Sequence, residues 1–156
     1  MTANGRHIIR LEFSSAFEML DFVQVVSDHL ARGIGLDEDS LHWVSVAIRE
    51  SIINAIKHGN RNDVEKHVFV EFETATQSDV PQLAIRVRDQ GEGFDPETLA
   101  NPLDPENLLK SSGRGIFLIR NFMDHVELQR APEGGMEIRM VKRVQSTGAD
   151  DDAAQS

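Results

Sequence analysis

Hydrophobic residues in the first third of the chain change from a strand-like to a helix-like spacing. Residues 7–13 mix apolar and polar positions, which predicts a first strand. Apolar residues then recur every three or four positions over 19–30, which predicts a helix. Ser15 followed by Glu18 forms a capping box that places the start of this helix, and Gly33 predicts its end.

A second helical stripe follows after a short connection. Asp37 is the predicted N-cap and Gly59 the predicted end. The apolar positions between them keep helical spacing: Leu41, Val44, Ile48, Ile52 and Ala55. Beside this stripe lie Glu50, Asn54 and His58, four residues apart, so we expect them on one helical face.

The remainder of the chain is predicted to be mostly strands. Residues 68–72 and 83–87 form a predicted antiparallel hairpin, and a long acidic loop over 90–110 leads to a helix at 116–122 and strands at 126–130 and 136–141. Grouped helices and neighbouring strands indicate an α+β fold, a two-layer α/β sandwich with a mixed, mostly antiparallel sheet and helices on one face. We expect one domain over 7–142 and a disordered acidic tail over 145–156.

Composition narrows the class of protein. The 156 residues include 16 Lys plus Arg and 26 Asp plus Glu, giving a net charge of −10, which argues against direct nucleic-acid binding and a polybasic membrane anchor. The absence of Cys excludes disulfides and thiolate chemistry. No apolar run reaches the roughly 20 residues of a membrane span. We therefore expect a cytoplasmic protein without membrane contact.

Three polar clusters could carry chemistry. Glu50 and Asn54 suit a hard cation such as Mg²⁺, or a general base beside a metal ligand, although a solvated helix face ending in His58 explains the same pattern. The segment Asp89-Gln90-Gly91-Glu92-Gly93 after a strand offers a carboxylate for an amino group and glycines for close approach, or simply a turn with an acidic rim.

The third cluster is Gly113-Arg114-Gly115 at the start of a helix. Free N–H groups at a helix N-terminus bind phosphate oxygens, and Arg114 with the upstream Lys110 could add positive charge. A hinge with an exposed arginine explains the same residues. Taken alone, each of the three clusters is a weak signal.

Their order along the chain is the specific signal. Glu50, Asn54 and His58-Gly59, then Asp89, Gly91 and Gly93, then Gly113 and Gly115 with Ile116, Leu118 and Ile119, resemble the N, G1 and G2 boxes of the GHKL ATPase superfamily. Residues 119–126 resemble the segment that follows the G2 box in bacterial anti-sigma-factor serine kinases. This resemblance covers about residues 7–142.

The resemblance implies a role for each box. Asp89 binds the adenine amino group of ATP, Gly91 and Gly93 pass close to the nucleotide, and Asn54 ligates Mg²⁺. The resemblance also places His58, Lys110, Gly113, Arg114 and Gly115 at the nucleotide, with the last three around its phosphates. Glu50 is the implied general base for a serine hydroxyl. An apolar residue is usual at the position of Arg114, so its role is open.

The resemblance predicts an ATP-dependent protein serine kinase that is also an anti-sigma factor. Such a protein sequesters a sigma factor and phosphorylates a STAS-domain antagonist as a homodimer. Two alternatives remain: an ATP-binding interaction module without phosphotransfer, and a histidine-kinase catalytic domain acting in trans. No phosphoacceptor histidine in a dimerisation helix is evident, which disfavours the last.

Overall fold

In the part of the chain that the structure describes, three helices and five strands form two layers. The computed structural model describes residues 6–75, 80–92 and 111–145, and only the backbone of residues 111–114. The elements, in chain order, are β1 (Arg6–Ser14), α1 (Met19–Ile34), α2 (Glu38–Asn54), a π-helical turn (Ala55–Gly59), β2 (His67–Ala75), β3 (Gln82–Arg88), α3 (Ser111–Phe122), β4 (His125–Arg130) and β5 (Met136–Arg143).

The described strands form one sheet in the order β1-β2-β3-β5-β4, and every pairing is antiparallel. The predicted hairpin of β2 and β3 is confirmed, with Val70 opposite Val87 and Phe72 opposite Ile85. The α+β class with a mostly antiparallel sheet is likewise confirmed. The predicted fold class also allowed for some parallel pairing, but all four pairings of this sheet are antiparallel.

The core lies between one face of the sheet and the helices. The register aligns apolar side chains in two rows across the strands: Leu11, Val70, Val87, Ile138 and Leu128, and Ile9, Phe72, Ile85, Met140 and Val126. The predicted apolar stripe of α2 packs on these rows and is buried throughout. The hydroxyl of Ser51 donates to the carbonyl of Ala47 at 2.7 Å and lies 3.4 Å from the Sδ of Met140, so α2 lies over β5 at this point.

The opposite face of the sheet carries charged side chains. Arg10 pairs with Glu71 at 2.8 Å, and Arg6 pairs with Glu73. The guanidinium of Arg88 lies 4.0 Å above the ring of Phe69. Because helices cover one face and charged residues the other, the prediction of helices on a single face is confirmed.

The beginning of α1 differs from the prediction. The helix starts at Met19 after Glu18, which has helical dihedral angles and no side-chain capping bond. Ser15 does not cap it, because its Oγ accepts from Asn60 Nδ2 at 2.9 Å while its hydroxyl donates to the carbonyl of Lys66 at 2.7 Å. A tertiary hydrogen bond has therefore taken the side chain that the capping box requires.

The end of α1 also lies further along the chain than predicted. The left-handed residue is Gly35 (φ +96°), not Gly33. Gly35 N–H donates to the carbonyl of Arg32 and Leu36 N–H to that of Ala31, each at 3.1 Å. These two bonds form a Schellman motif, which needs a glycine at the left-handed position and an apolar residue after it; Leu36 is buried.

The second helix follows the prediction at its start and changes form at its end. Asp37 is the N-cap, since its side chain accepts a hydrogen bond from Ser40 N–H at 2.7 Å. After Asn54 the backbone widens into the π-helical turn, closed by Asn60 N–H bonding to the carbonyl of Ala55 at 2.7 Å. Helical backbone thus ends at Gly59, as predicted, but the last turn is not α-helical.

The third helix begins at Ser111, five residues before the predicted start. Most of the predicted acidic loop and almost all of the predicted tail lie outside the described residues. None of the described helices is long and apolar enough to cross a membrane.

Candidate functional site

A first cluster forms where α3 crosses α2. Glu50 and Asn54 lie one turn apart on α2 and face Gly115 of α3. A Cβ placed on Gly115 would lie 2.7 Å from Glu50 Oε2 and 3.1 Å from Asn54 Nδ2. A methyl group at this position would push the end of the Glu50 side chain aside, so the glycine lets the N-box carboxylate and amide lie against the G2-box helix.

The two side chains offer complementary chemistry. Both are half-buried, so they are held by packing yet reach solvent. A carboxylate can accept a proton or bind a cation, and an amide oxygen is a neutral ligand for a hard cation. His58 lies in the π-helical turn, where its side chain is exposed. The α-helical spacing that predicted a shared face stops at Asn54, before His58.

A second cluster surrounds Asp89, directly after β3. Its backbone N–H donates to the carbonyl of Met136 at 3.1 Å, which extends the pairing with β5 by one bond. Its Oδ1 accepts hydrogen bonds from Gly91 N–H at 2.9 Å and Met136 N–H at 3.1 Å. The residue is only 5% exposed. Two backbone donors therefore fix one carboxylate oxygen.

Three glycines enclose Asp89. A Cβ on Gly59 would lie 2.0 Å from Asp89 Oδ2, and one on Gly135 would lie 2.1 Å from the Asp89 carbonyl oxygen. A Cβ on Gly91 would lie 2.1 Å from the carbonyl oxygen of Gly59. Side chains at these positions would displace backbone or the carboxylate itself, so the notch around Asp89 requires glycine.

Burial shapes the electrostatics of this notch. Loss of solvent raises the pKa of Asp89 above its ordinary value, because the charged form is disfavoured there. The hydrogen bonds from Gly91 and Met136 and the charges of Lys66 and Arg88 oppose that rise. A buried carboxylate with a second oxygen at the notch is suited to bind a hydrogen-bond donor rather than a metal ion.

The G2 box lies inside α3 rather than before it. The first four N–H groups of a helix have no partner within it, and in α3 they include those of residues 111–113, among them Gly113. Gly115 therefore serves close packing, whereas the residues before it offer N–H groups to an anion. The side chain of Arg114 lies outside the description, as do Gly93 and Lys110 entirely.

Both clusters adjoin the same stretch of chain. Asn54 ends α2 beside the first cluster, and Gly59 ends the π-helical turn beside the second. A ligand lying along this stretch can meet a buried carboxylate at one end and a helix N-terminus with a carboxylate and an amide at the other.

Sequence reasoning missed two members of the site. Gly59 was predicted as a helix end and a member of the first box, and Gly135 was given no role in the site, so neither was identified as a wall around Asp89. The doublet Gly134-Gly135, both with positive φ (+102° and +82°), was the available signal. Its purpose depends on a contact across 46 residues, which no local pattern reveals.

Comparison with known proteins agrees with this geometry. The anti-sigma F factor of Oceanobacillus iheyensis is 33% identical over 138 residues, covering 86% of this chain and 90% of the relative. That of Bacillus subtilis (strain 168) is 30% identical over 145 residues, covering 90% and 95%. The serine-protein kinase RsbW of Staphylococcus epidermidis is 27% identical over 143 residues, covering 87% and 86%. The sequence model described as histidine kinase-like ATPase domain matches residues 15–142. The predicted resemblance to this superfamily is thereby confirmed, and the chain belongs to the histidine kinase-like ATPase domain family.

Proposed function

We propose that this chain is an ATP-dependent protein serine kinase and anti-sigma factor, which sequesters a sigma factor and phosphorylates a STAS-domain antagonist. The observation that carries the catalytic part is the contact of Glu50 and Asn54 with Gly115, opposite the buried notch of Asp89. The names of the relatives, anti-sigma F factor and serine-protein kinase, support the choice of partners.

Recognition of ATP begins at Asp89. Its Oδ2 is aimed at the glycine-walled notch, and we assign it as the acceptor for the adenine amino group. Gly91 allows the nucleotide close to the loop, and the N–H groups at the start of α3 bind phosphate oxygens. A buried acceptor left unpaired is costly, so this site favours a base with an amino group.

Catalysis follows from the position of Glu50. The carboxylate takes the proton from the serine hydroxyl while that oxygen forms its bond to the γ-phosphorus. The bond from the γ-phosphorus to the bridging oxygen breaks, and the electron pair leaves with ADP. The packing of Glu50 against Gly115 fixes the position of the carboxylate, and the serine hydroxyl must approach that position to give up its proton.

The described residues fit a nucleotide-bound Mg²⁺ rather than a protein-caged metal. No group of three or more His, Asp or Glu side chains within 6–75, 80–92 and 111–145 could hold a metal ion. Mg²⁺ usually takes one or two protein ligands and completes its shell with phosphates and water. Asn54 Oδ1 is the ligand we assign, and the ion supplies neutralisation of phosphate charge.

Phosphotransfer is the decisive test. Purified chain, a STAS-domain protein and γ-labelled ATP with Mg²⁺ are incubated, and label on serine is measured. We expect transfer by the wild type, intact ATP binding but about 100-fold slower transfer by Glu50→Gln, and lost binding by Asp89→Asn. Wild-type rates in Glu50→Gln would remove Glu50 as the base. ATP binding with no transfer to any antagonist would favour the interaction module.

The assembly is tested separately. We propose a cytoplasmic homodimer that binds a sigma factor, so light scattering is expected to give twice the chain mass of 17.4 kDa. Addition of a sigma factor is expected to give a larger complex, and the unphosphorylated STAS protein is expected to dissociate it. A monomer at micromolar concentration would contradict the homodimer, and failure of all sigma factors of the host to bind would contradict the anti-sigma role.

A further inference from the structure

Asn60 is a fully buried polar residue outside the boxes. It follows the π-helical turn and is 0% exposed. Its Nδ2 donates to Ser15 Oγ at 2.9 Å and to the carbonyl of His67 at 3.0 Å. Its Oδ1 accepts from the backbone N–H of Gln90 at 2.7 Å. Both side-chain donors and the acceptor are therefore engaged with three separate segments of the chain.

The contact with Gln90 reaches the base-binding loop. Gln90 is the residue after Asp89, so Asn60 Oδ1 holds the peptide that links Asp89 to the rest of its turn. The side chain of Gln90 accepts a second bond from His67 N–H at 2.7 Å. Gly91 N–H, one residue further, holds Asp89 Oδ1. The direction of the Asp89 carboxylate therefore depends on where this turn is fixed.

We propose that Asn60 is a positioning residue for adenine recognition, acting through Gln90 on Asp89. The inference rests on the proposed role of Asp89. Hydrogen bonds weaken steeply when distance or angle departs from the optimum. A shift of this turn would therefore weaken the bond between the Asp89 carboxylate and the adenine amino group. Loss of Asn60 Oδ1 also leaves a part-buried N–H without its partner, which drives the turn toward solvent.

A purely structural role of Asn60 leads to a different prediction. In that case Asn60→Ala would lower the free energy of unfolding and weaken the binding of all nucleotides equally, because the whole site would loosen. A positioning role lowers discrimination between nucleotides that differ at the amino group. Inosine triphosphate carries a carbonyl where ATP carries that amino group, so the ratio of the two dissociation constants isolates the contact made by Asp89.

The experiment measures that ratio for wild type, Asn60→Ala and Ser15→Ala. Ser15 is the matched control, because its hydroxyl bonds the Asn60 amide nitrogen and not Gln90. We expect wild type to favour ATP by about tenfold or more. The preference is expected to fall below about threefold in Asn60→Ala and to stay within about twofold of wild type in Ser15→Ala. A wild-type preference in Asn60→Ala would overturn the inference.

A second measurement needs no substitution at Asn60. Residue-resolved amide exchange of the wild type is expected to show protection of Gln90 N–H, and exchange at the rate of a free amide would overturn the inference even if Asn60→Ala does not fold. Equal wild-type affinity for both nucleotides would overturn the role of Asp89 and this inference with it. A discriminating wild type together with an equally discriminating Asn60→Ala would overturn the positioning role alone.

Discussion

Gly115 of α3 lies against Glu50 of α2 so closely that a Cβ on the glycine would be 2.7 Å from the carboxylate oxygen Oε2. The clashing atom is the end of a flexible side chain, so the carboxylate and not the backbone would move. This contact makes the position of Glu50 depend on a residue 65 positions away in the sequence.

Gly115→Ala is therefore expected to leave the fold intact while slowing phosphotransfer by about 100-fold, because a displacement near 1 Å suffices for such a loss. Transfer rates and thermal unfolding measured together check this. Gly33→Ala is the matched control, since nothing lies within 4 Å of its Cβ position. It is expected to be active and stabilised by about 0.5–1 kcal/mol. An unimpaired rate in Gly115→Ala would show that Glu50 is not held there for catalysis.

The burial of Asp89 is expected to make the free energy of unfolding depend on pH in a specific way. Burial raises the pKa of Asp89 in the folded protein above its ordinary value of 3.8, so over that interval the folded state binds more protons than the unfolded state. The contribution of Asp89 to the free energy of unfolding therefore falls as pH rises from 3.8 through the raised pKa. Above that pKa the contribution stays constant.

Asp89→Asn is expected to remove this fall. Urea unfolding between pH 4 and 7 should show the variant gaining stability relative to wild type as pH rises, while it loses ATP binding. Asp21→Asn is the control, because the side chain of Asp21 is 95% exposed. A difference between Asp89→Asn and wild type that does not change over this pH interval would contradict the effect of burial.

Trp43 of α2 and Phe122 of α3 stack with ring centroids 3.5 Å apart and an angle of 2° between their planes. Trp43 is the sole tryptophan of the sequence, so its fluorescence reports this helix contact. Phe122→Ala is expected to lower the free energy of unfolding by about 1–3 kcal/mol and to shift folded-state emission to the red. Phe22→Ala, at a 52% exposed site, is expected to change the free energy of unfolding by no more than about 0.5 kcal/mol and to leave the emission maximum unchanged. Unshifted emission in Phe122→Ala would contradict the stacking.

Lys142 of β5 closes the C-terminal end of α3. It is 9% exposed, and its Nζ donates to the carbonyl of Phe122 at 2.9 Å. A positive charge at this position also interacts favourably with the negative end of the helix dipole. Lys142→Met is expected to reduce stability by about 1–3 kcal/mol by leaving that carbonyl unpaired. Arg143→Met loses the same charge from an exposed neighbour and is expected to stay within about 0.5 kcal/mol of wild type. Equal losses in the two variants would assign the effect to net charge. Chemical denaturation measures both.

Local patterns predicted most of the fold. The apolar stripe of α2, its N-cap Asp37 and the hairpin of β2 and β3 depend on neighbours near in the sequence, and each was confirmed. The start of α1 was wrong because Ser15 bonds the carbonyl of Lys66, 51 residues away. Its end was wrong because two glycines stand close together and only Gly35 takes the left-handed conformation.

Periodicity, charge and motif spacing are properties of consecutive residues, and they were enough to predict the order of elements, the acidic character and the residues of the three boxes. The contact of Gly115 with Glu50, the enclosure of Asp89 by Gly59 and Gly135, and the bond from Gln90 to Asn60 became visible only in the folded chain. Such contacts join residues up to 65 positions apart. They exist only once the sheet register and the packing of α2 and α3 bring those backbones together, and sequence spacing carries no measure of that distance.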